Sequence, residues 1–141
     1  MPSRHRSRQR ALQVLFQLDL RTQSPDDAIK GFYNSLYAEE DGTKPPPDPF
    51  MEQLVRTTAE RLPAIDGLIS QHSEHWRIDR MPAVDRNILR LAVCEMTTTP
   101  TPPAVVIDEA LELARRFSGE ESVAFINGVL DAIRRTRLGG K

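Results

Sequence analysis

The amino-acid sequence predicts an all-α protein, a bundle of about seven helices in one domain. Three observations carry this. Apolar residues recur at spacings of three and four between prolines. No segment alternates apolar and polar residues convincingly over the length of a strand. The chain has 141 residues, enough for one domain that buries roughly 68% of its unfolded surface without a metal or a disulfide.

The first helix is predicted over Arg8–Arg21, with Ala11, Val14, Leu15 and Leu18 as its apolar stripe. Ser24-Pro25-Asp26-Asp27 opens the second, Ser24 as N-cap and Pro25 at the first helical position. Ile29, Phe32, Tyr33, Leu36 and Tyr37 continue it. Residues 39–49 form a proline-rich loop, because Gly42 and Pro45-Pro46-Pro47 do not suit an element interior. Asp48-Pro49 starts a third helix carrying Phe50, Met51, Leu54 and Val55, and Pro63 breaks or kinks the chain after it. A fourth carries Ile65, Leu68, Ile69 and His72 and is expected to end near Trp76. The fifth, Pro82–Met96, is apolar almost all round, which marks a central helix. The sixth holds Val106, Ile107, Ala110, Leu113 and Phe117 and stops near Gly119, although Ala104–Ile107 is valine-rich enough for a strand to compete. The seventh opens on Glu120 and Glu121, acids suited to a helix N-terminus, and carries Val123, Ile126, Val129, Leu130 and Ile133.

Charge is unevenly spread. The net charge is −1, but Arg4, Arg6, Arg8 and Arg10 all precede the first acid, Asp19. Residues 1–10 thus form a basic N-terminal arm on an acidic remainder, which suggests a polyanion-binding end. Four arginines suit phosphates and the faces of unpaired bases. Neutralising four phosphates of a single strand gives a salt slope of roughly −3; the rival reading is a solvated, frayed terminus. Arg134, Arg135, Arg137 and Lys141 form a second basic cluster, read as solvated. Phe16 lies about 150° from the centre of the first helix's stripe, so it either buries a second face or anchors a partner protein. Phe125 is about 90° off its own stripe, suited to edge packing or to stacking on a base.

Enzyme patterns are missing. The sequence has no glycine-rich phosphate loop and no serine in a nucleophile elbow. The carboxylate pairs Asp26/Asp27, Glu39/Glu40 and Glu120/Glu121 sit in loops or at helix starts, where capping and solubility account for them. His72 and His75 have only His5 and Cys94 as further soft ligands, so a hydrogen-bonded core histidine is the better account of His72 and no metal is expected. One cysteine excludes an internal disulfide and fits a reducing, cytoplasmic setting. No apolar run approaches the roughly 20 residues of a membrane span.

Four blocks in order then resemble one family. They are the arginine-rich opening followed by Ala11-Leu12-Gln13-Val14-Leu15-Phe16-Gln17; Trp76-Arg77-Ile78-Asp79-Arg80-Met81-Pro82 with its continuation to Ala92; Pro103 to Ala114; and Phe125-Ile126-Asn127-Gly128-Val129-Leu130-Asp131. Together they resemble the NusB family of transcription antitermination factors. The resemblance implies seven helices in two small packed bundles and no cofactor. It implies binding of the single-stranded boxA element of leader RNA and pairing with the ribosomal protein NusE, and through these an indirect link to RNA polymerase and other Nus factors. By the same resemblance, Arg4, Arg6, Arg8, Arg10, Glu121 and Phe125 belong to the RNA side, and Phe16, Asp79 and Asp85 to the NusE side. Phe16 stands where many relatives have tyrosine, so it carries no hydroxyl. Two rivals stay open: a module like that of ribosomal RNA methyltransferases, for whose cofactor domain this sequence has no room, and a homodimer that masks the basic face.

Overall fold

A computed structural model describes residues 3–39, 42–74 and 76–137. They form seven α-helices: α1 (Arg4–Leu20), α2 (Pro25–Glu39), α3 (Pro49–Glu60), α4 (Leu62–His72), α5 (Ala83–Thr98), α6 (Pro103–Phe117) and α7 (Glu120–Arg137). A single 3-10 turn, Ile78–Arg80, precedes α5. Strands are absent among the described residues. Ala104–Ile107 lies in the opening turns of α6, with Pro103 at the helix start. His75, Glu40 and Lys141 lie outside the described residues.

Local chemistry sets the boundaries. The Ser24 hydroxyl accepts from the Asp27 amide at the start of α2, as its capping position predicts. Asp48 caps α3 by accepting from the Met51 amide, and Pro49 takes the first helical position. Arg61 separates α3 from α4, so the break precedes Pro63 by two residues and places the proline in the first turn of α4. That helix ends at His72 rather than near Trp76, which leaves Trp76 in the connection before the 3-10 turn.

A difference of the same size falls on α1. This helix begins at Arg4, a full turn before the predicted Arg8, so most of the expected arm is helix. Ser3 is its N-cap, accepting from the Arg6 amide at 3.1 Å. Between Arg4 and Arg10 every side chain is polar, so hydrophobic periodicity carries no signal there.

As expected, α5 is central: Ile88, Leu89, Leu91, Ala92, Val93, Cys94 and Met96 are all buried. It serves both helix groups. On one side α1, α2 and α3 pack together, and α1 and α3 also lie on α5. On the other, α4, α6 and α7 pack around α5, with α6 and α7 forming an intimate hairpin. One continuous core from Ala11 to Ile133 joins the two groups.

Helices α1 and α5 run antiparallel and are clasped at both ends. Near the start of α1, Arg8 reaches Glu95. Near its end, Asp19 accepts from Arg86 at 2.7 Å and from Asn87 at 3.0 Å, with Arg90 at 3.4 Å. Burial alone would raise the Asp19 pKa. The hydrogen bonds from Arg86 and Asn87, with the charge of Arg90, reverse that and lower it.

Candidate nucleic-acid interface

Because α1 begins at Arg4, its four arginines divide into two faces. Positions two apart differ by about 200° around a helix, and positions four apart by about 40°. Arg4 and Arg8 therefore share one face, and Arg6 and Arg10 the other.

On the first face, Arg8 is buried. Its Nε and Nη2 donate to the two oxygens of Glu95 at 2.7 and 2.6 Å, and its Nη1 donates to Glu109 at 2.9 Å. The Glu95 hydrogen bonds outweigh burial and raise the guanidinium pKa further. His5 Nδ1 lies 2.8 Å from the other oxygen of Glu109. The expectation of Arg8 as a phosphate ligand is corrected here: its fork is engaged by two carboxylates inside the fold. Arg4, one turn earlier, is exposed, with its guanidinium carbon over the Phe50 ring, 3.8 Å from the centroid. Both arginines line a cleft with Phe50, Gln53 and residues 99–102.

On the second face, Arg10 is half-buried and pairs with Asp48 at 3.2 Å. Asp48 itself is buried and also accepts from the Ser7 hydroxyl at 2.7 Å. Arg10 is thus part of the joint between α1 and α3. Arg6 is exposed and meets no carboxylate among the described residues. With Arg10 it lines a groove of about 500 Å³ containing Leu12, Phe16, Phe32, Leu36 and Phe117. Phe16 is half-buried there. Its off-stripe angle is explained by this groove, which also contains Arg116.

At the far end of the molecule, Phe125 packs edge-to-face on Trp76, with centroids 6.2 Å apart. Glu121, exposed in the first turn of α7, lines the same cleft with Asp85 and Ser122. Asp85 requires a second correction. The resemblance assigns it to the NusE side, but it is buried and accepts from the Ser118 and Ser122 hydroxyls, each at 2.7 Å. Its carboxylate ties the start of α5 to the α6–α7 junction and positions that cleft. Asp79 is exposed on the 3-10 turn, 3.3 Å from Arg77.

The two expected sides are consequently interleaved. Arg6 shares a groove with Phe16, and Glu121 and Phe125 share a cleft with Asp85. Arg8 meets α5 at Glu95 while the Phe125 cleft meets it at Asp85, about 15 Å apart along the axis. Three aromatic residues were missed as site candidates. Trp76 is half exposed despite its size, and a lone tryptophan in a connection was the available signal. Phe50 and Phe117 read as ordinary core residues, and only the fold reveals their open faces.

His72 is half-buried with its Nδ1 2.8 Å from the Leu68 carbonyl oxygen. Cys94 is buried, and burial pushes its thiol pKa up. No group of three metal-ligating side chains gathers among the described residues, and none of the described helices is long and apolar enough to cross a membrane.

Known proteins share this sequence pattern and fold. The model of the NusB family matches residues 5–135. The transcription antitermination protein NusB of Solibacter usitatus is 62% identical over 135 residues, covering 96% of this chain and 90% of the relative. Its counterpart in Koribacter versatilis is 49% identical over 134 residues, 94% of this chain and 89% of the relative. A structure of T. maritima NusB matches with a TM-score of 0.80 at 34% identity, over 96% of this chain and 92% of that one. A chain in the crystal structure of antitermination factors NusB and NusE in complex with dsRNA matches with a TM-score of 0.76 at 30% identity, over 95% of this chain and 98% of that one. With sequence, helix order and fold agreeing over nearly the whole length, the chain belongs to the NusB family.

Proposed function

We propose that this chain is a non-enzymatic, cytoplasmic transcription antitermination adaptor that binds boxA leader RNA together with NusE and promotes transcription of ribosomal RNA operons. The observation that carries this is the match over 95% of the chain to a protein whose structure holds NusB, NusE and dsRNA together. The residues supply a mechanism. Arg4 and Arg6 are exposed cations for phosphates, while Trp76 and Phe125 offer aromatic surface for unpaired bases. Phe16, in its groove, and Asp79, on the 3-10 turn, are the anchors for the ribosomal protein. Arg8, Arg10 and Asp85 hold these groups in place. Two weak surfaces joined in one complex raise effective affinity.

Fluorescence anisotropy with labelled boxA RNA, a scrambled strand and a duplex of the boxA sequence tests the reading, each with and without NusE. Preference for the single-stranded boxA sequence, strengthened by NusE, is expected. Equal binding to the boxA and scrambled strands would sink it, and an affinity unmoved by NusE would remove the cooperative part.

A further inference from the structure

The cleft beneath Arg4 has no counterpart among the expected contacts beyond the arginines themselves. It encloses about 400 Å³, within the size range of small-ligand pockets. Its walls come from the first turns of α1 and α3 and from the α5–α6 connection: Arg4, Phe50, Gln53, Thr99 and Thr101, with Arg8 behind. The lining contains two cations and no carboxylate. The Phe125 cleft, by contrast, contains Asp85 and Glu121.

Arg8's charge is already balanced by Glu95 and Glu109. Arg4 meets no carboxylate among the described residues, and its guanidinium carbon sits over the Phe50 ring at 3.8 Å. A guanidinium stacked on an aromatic ring keeps its opposite face and its N–H edge open. The open face matches the π-surface of an unpaired base, and the edge matches a phosphate. Gln53 is exposed, and its amide adds a donor and an acceptor at the same opening.

We propose that this cleft is a nucleotide subsite for single-stranded RNA, in which a base stacks on the Arg4 guanidinium braced by Phe50, and Gln53 and Thr101 meet the base edge or sugar. The subsite rests on the RNA-adaptor reading above and extends the RNA path onto α3 and the α5–α6 connection. Stacking requires an unpaired base, so this site contributes to binding of a single strand and not of a duplex.

The test uses the full chain with NusE and a labelled single-stranded boxA RNA, beside a duplex of the same sequence. Phe50→Leu is expected to weaken single-strand binding about tenfold and leave duplex binding unchanged, while Phe50→Tyr, which keeps the ring, retains it. Gln53→Ala, at an exposed position, is expected to cost about fivefold and guards against a folding defect in the Phe50 variant. Single-strand affinity unchanged in both Phe50→Leu and Gln53→Ala overturns the subsite and leaves the adaptor reading standing. Equal losses on strand and duplex also overturn it, because stacking then is not the cause. Failure of the unaltered chain to bind any RNA overturns both.

Discussion

Arg4 and Arg6 differ from Arg8 and Arg10 in fate, though all four lie in one short stretch without an acid. The first pair is exposed; the second is held by Glu95, Glu109 and Asp48. The difference is one helical turn. Arg8 and Arg10 sit where carboxylates of other helices meet α1, and Arg4 and Arg6 sit at the rims of clefts whose linings bring them no carboxylate partner. A run of like charge is therefore not one functional unit. Helical geometry sorts it by face, and depth sorts each face into a member that builds the structure and a member left for a ligand.

The strongest way to break this contrast is to remove a buried member. Arg8→Ala leaves Glu95, whose side chain is 1% exposed, without its partner. The expected loss is about 3–5 kcal/mol in chemical denaturation. A small loss would mean that Arg8 is as dispensable to the fold as an exposed arginine. Replacing Arg8 and Glu95 together by Met and Leu is expected to restore most of that stability.

Next in size is an effect on partner binding. Phe16→Ala is expected to weaken NusE binding by about 2 kcal/mol, roughly 30-fold, and Phe16→Tyr to preserve it. Calorimetric titration that finds no change for Phe16→Ala would reassign the groove to packing alone.

The far clasp of α1 gives a pH test. Asp19 has a folded-state pKa below its ordinary 3.8. Its contribution is fully present above that ordinary value and is lost as pH falls through the lowered one. Asp19→Asn is expected to cost about 1.5 kcal/mol at neutral pH, with the gap from the unaltered chain closing in acid below about pH 4. A gap independent of pH would show that the charge of Asp19 is not what stabilises the joint.

Smallest is Arg6→Ala. Stability should change by no more than about 0.5 kcal/mol, while the salt slope for single-stranded RNA falls by about 0.7. An unchanged slope would remove Arg6 from the set of available cations.

These contrasts also mark what could be read in advance. The helices with periodic apolar residues, α2 to α7, were legible, and α5 was recognisable as central because its apolar residues run all round. Phe16 stood out by angle alone. The start of α1 was not legible, since its first seven residues are polar and are fixed by partners far along the chain. A capping or pairing role for Asp85 near the start of its helix could be read, but not its partners, hydroxyls 33 and 37 positions away. Local patterns report local chemistry, and a buried polar group is defined by whatever the fold brings to it.

The clasp between α1 and α5 has a consequence for synthesis. Arg8 meets its two acids 87 and 101 positions later in the chain. Helix α1 is thus synthesised well before the acids that lock Arg8, with translation adding roughly 5–20 residues per second. Until Glu95 and Glu109 emerge, nothing neutralises Arg8, and the stripe from Ala11 to Leu15 has no α5 to cover it. The basic end therefore acquires its division in two stages, Arg10 once Asp48 has emerged and Arg8 only after Glu95 and Glu109, so a nascent chain passes through a stage in which Arg8 still belongs to the available positive charge.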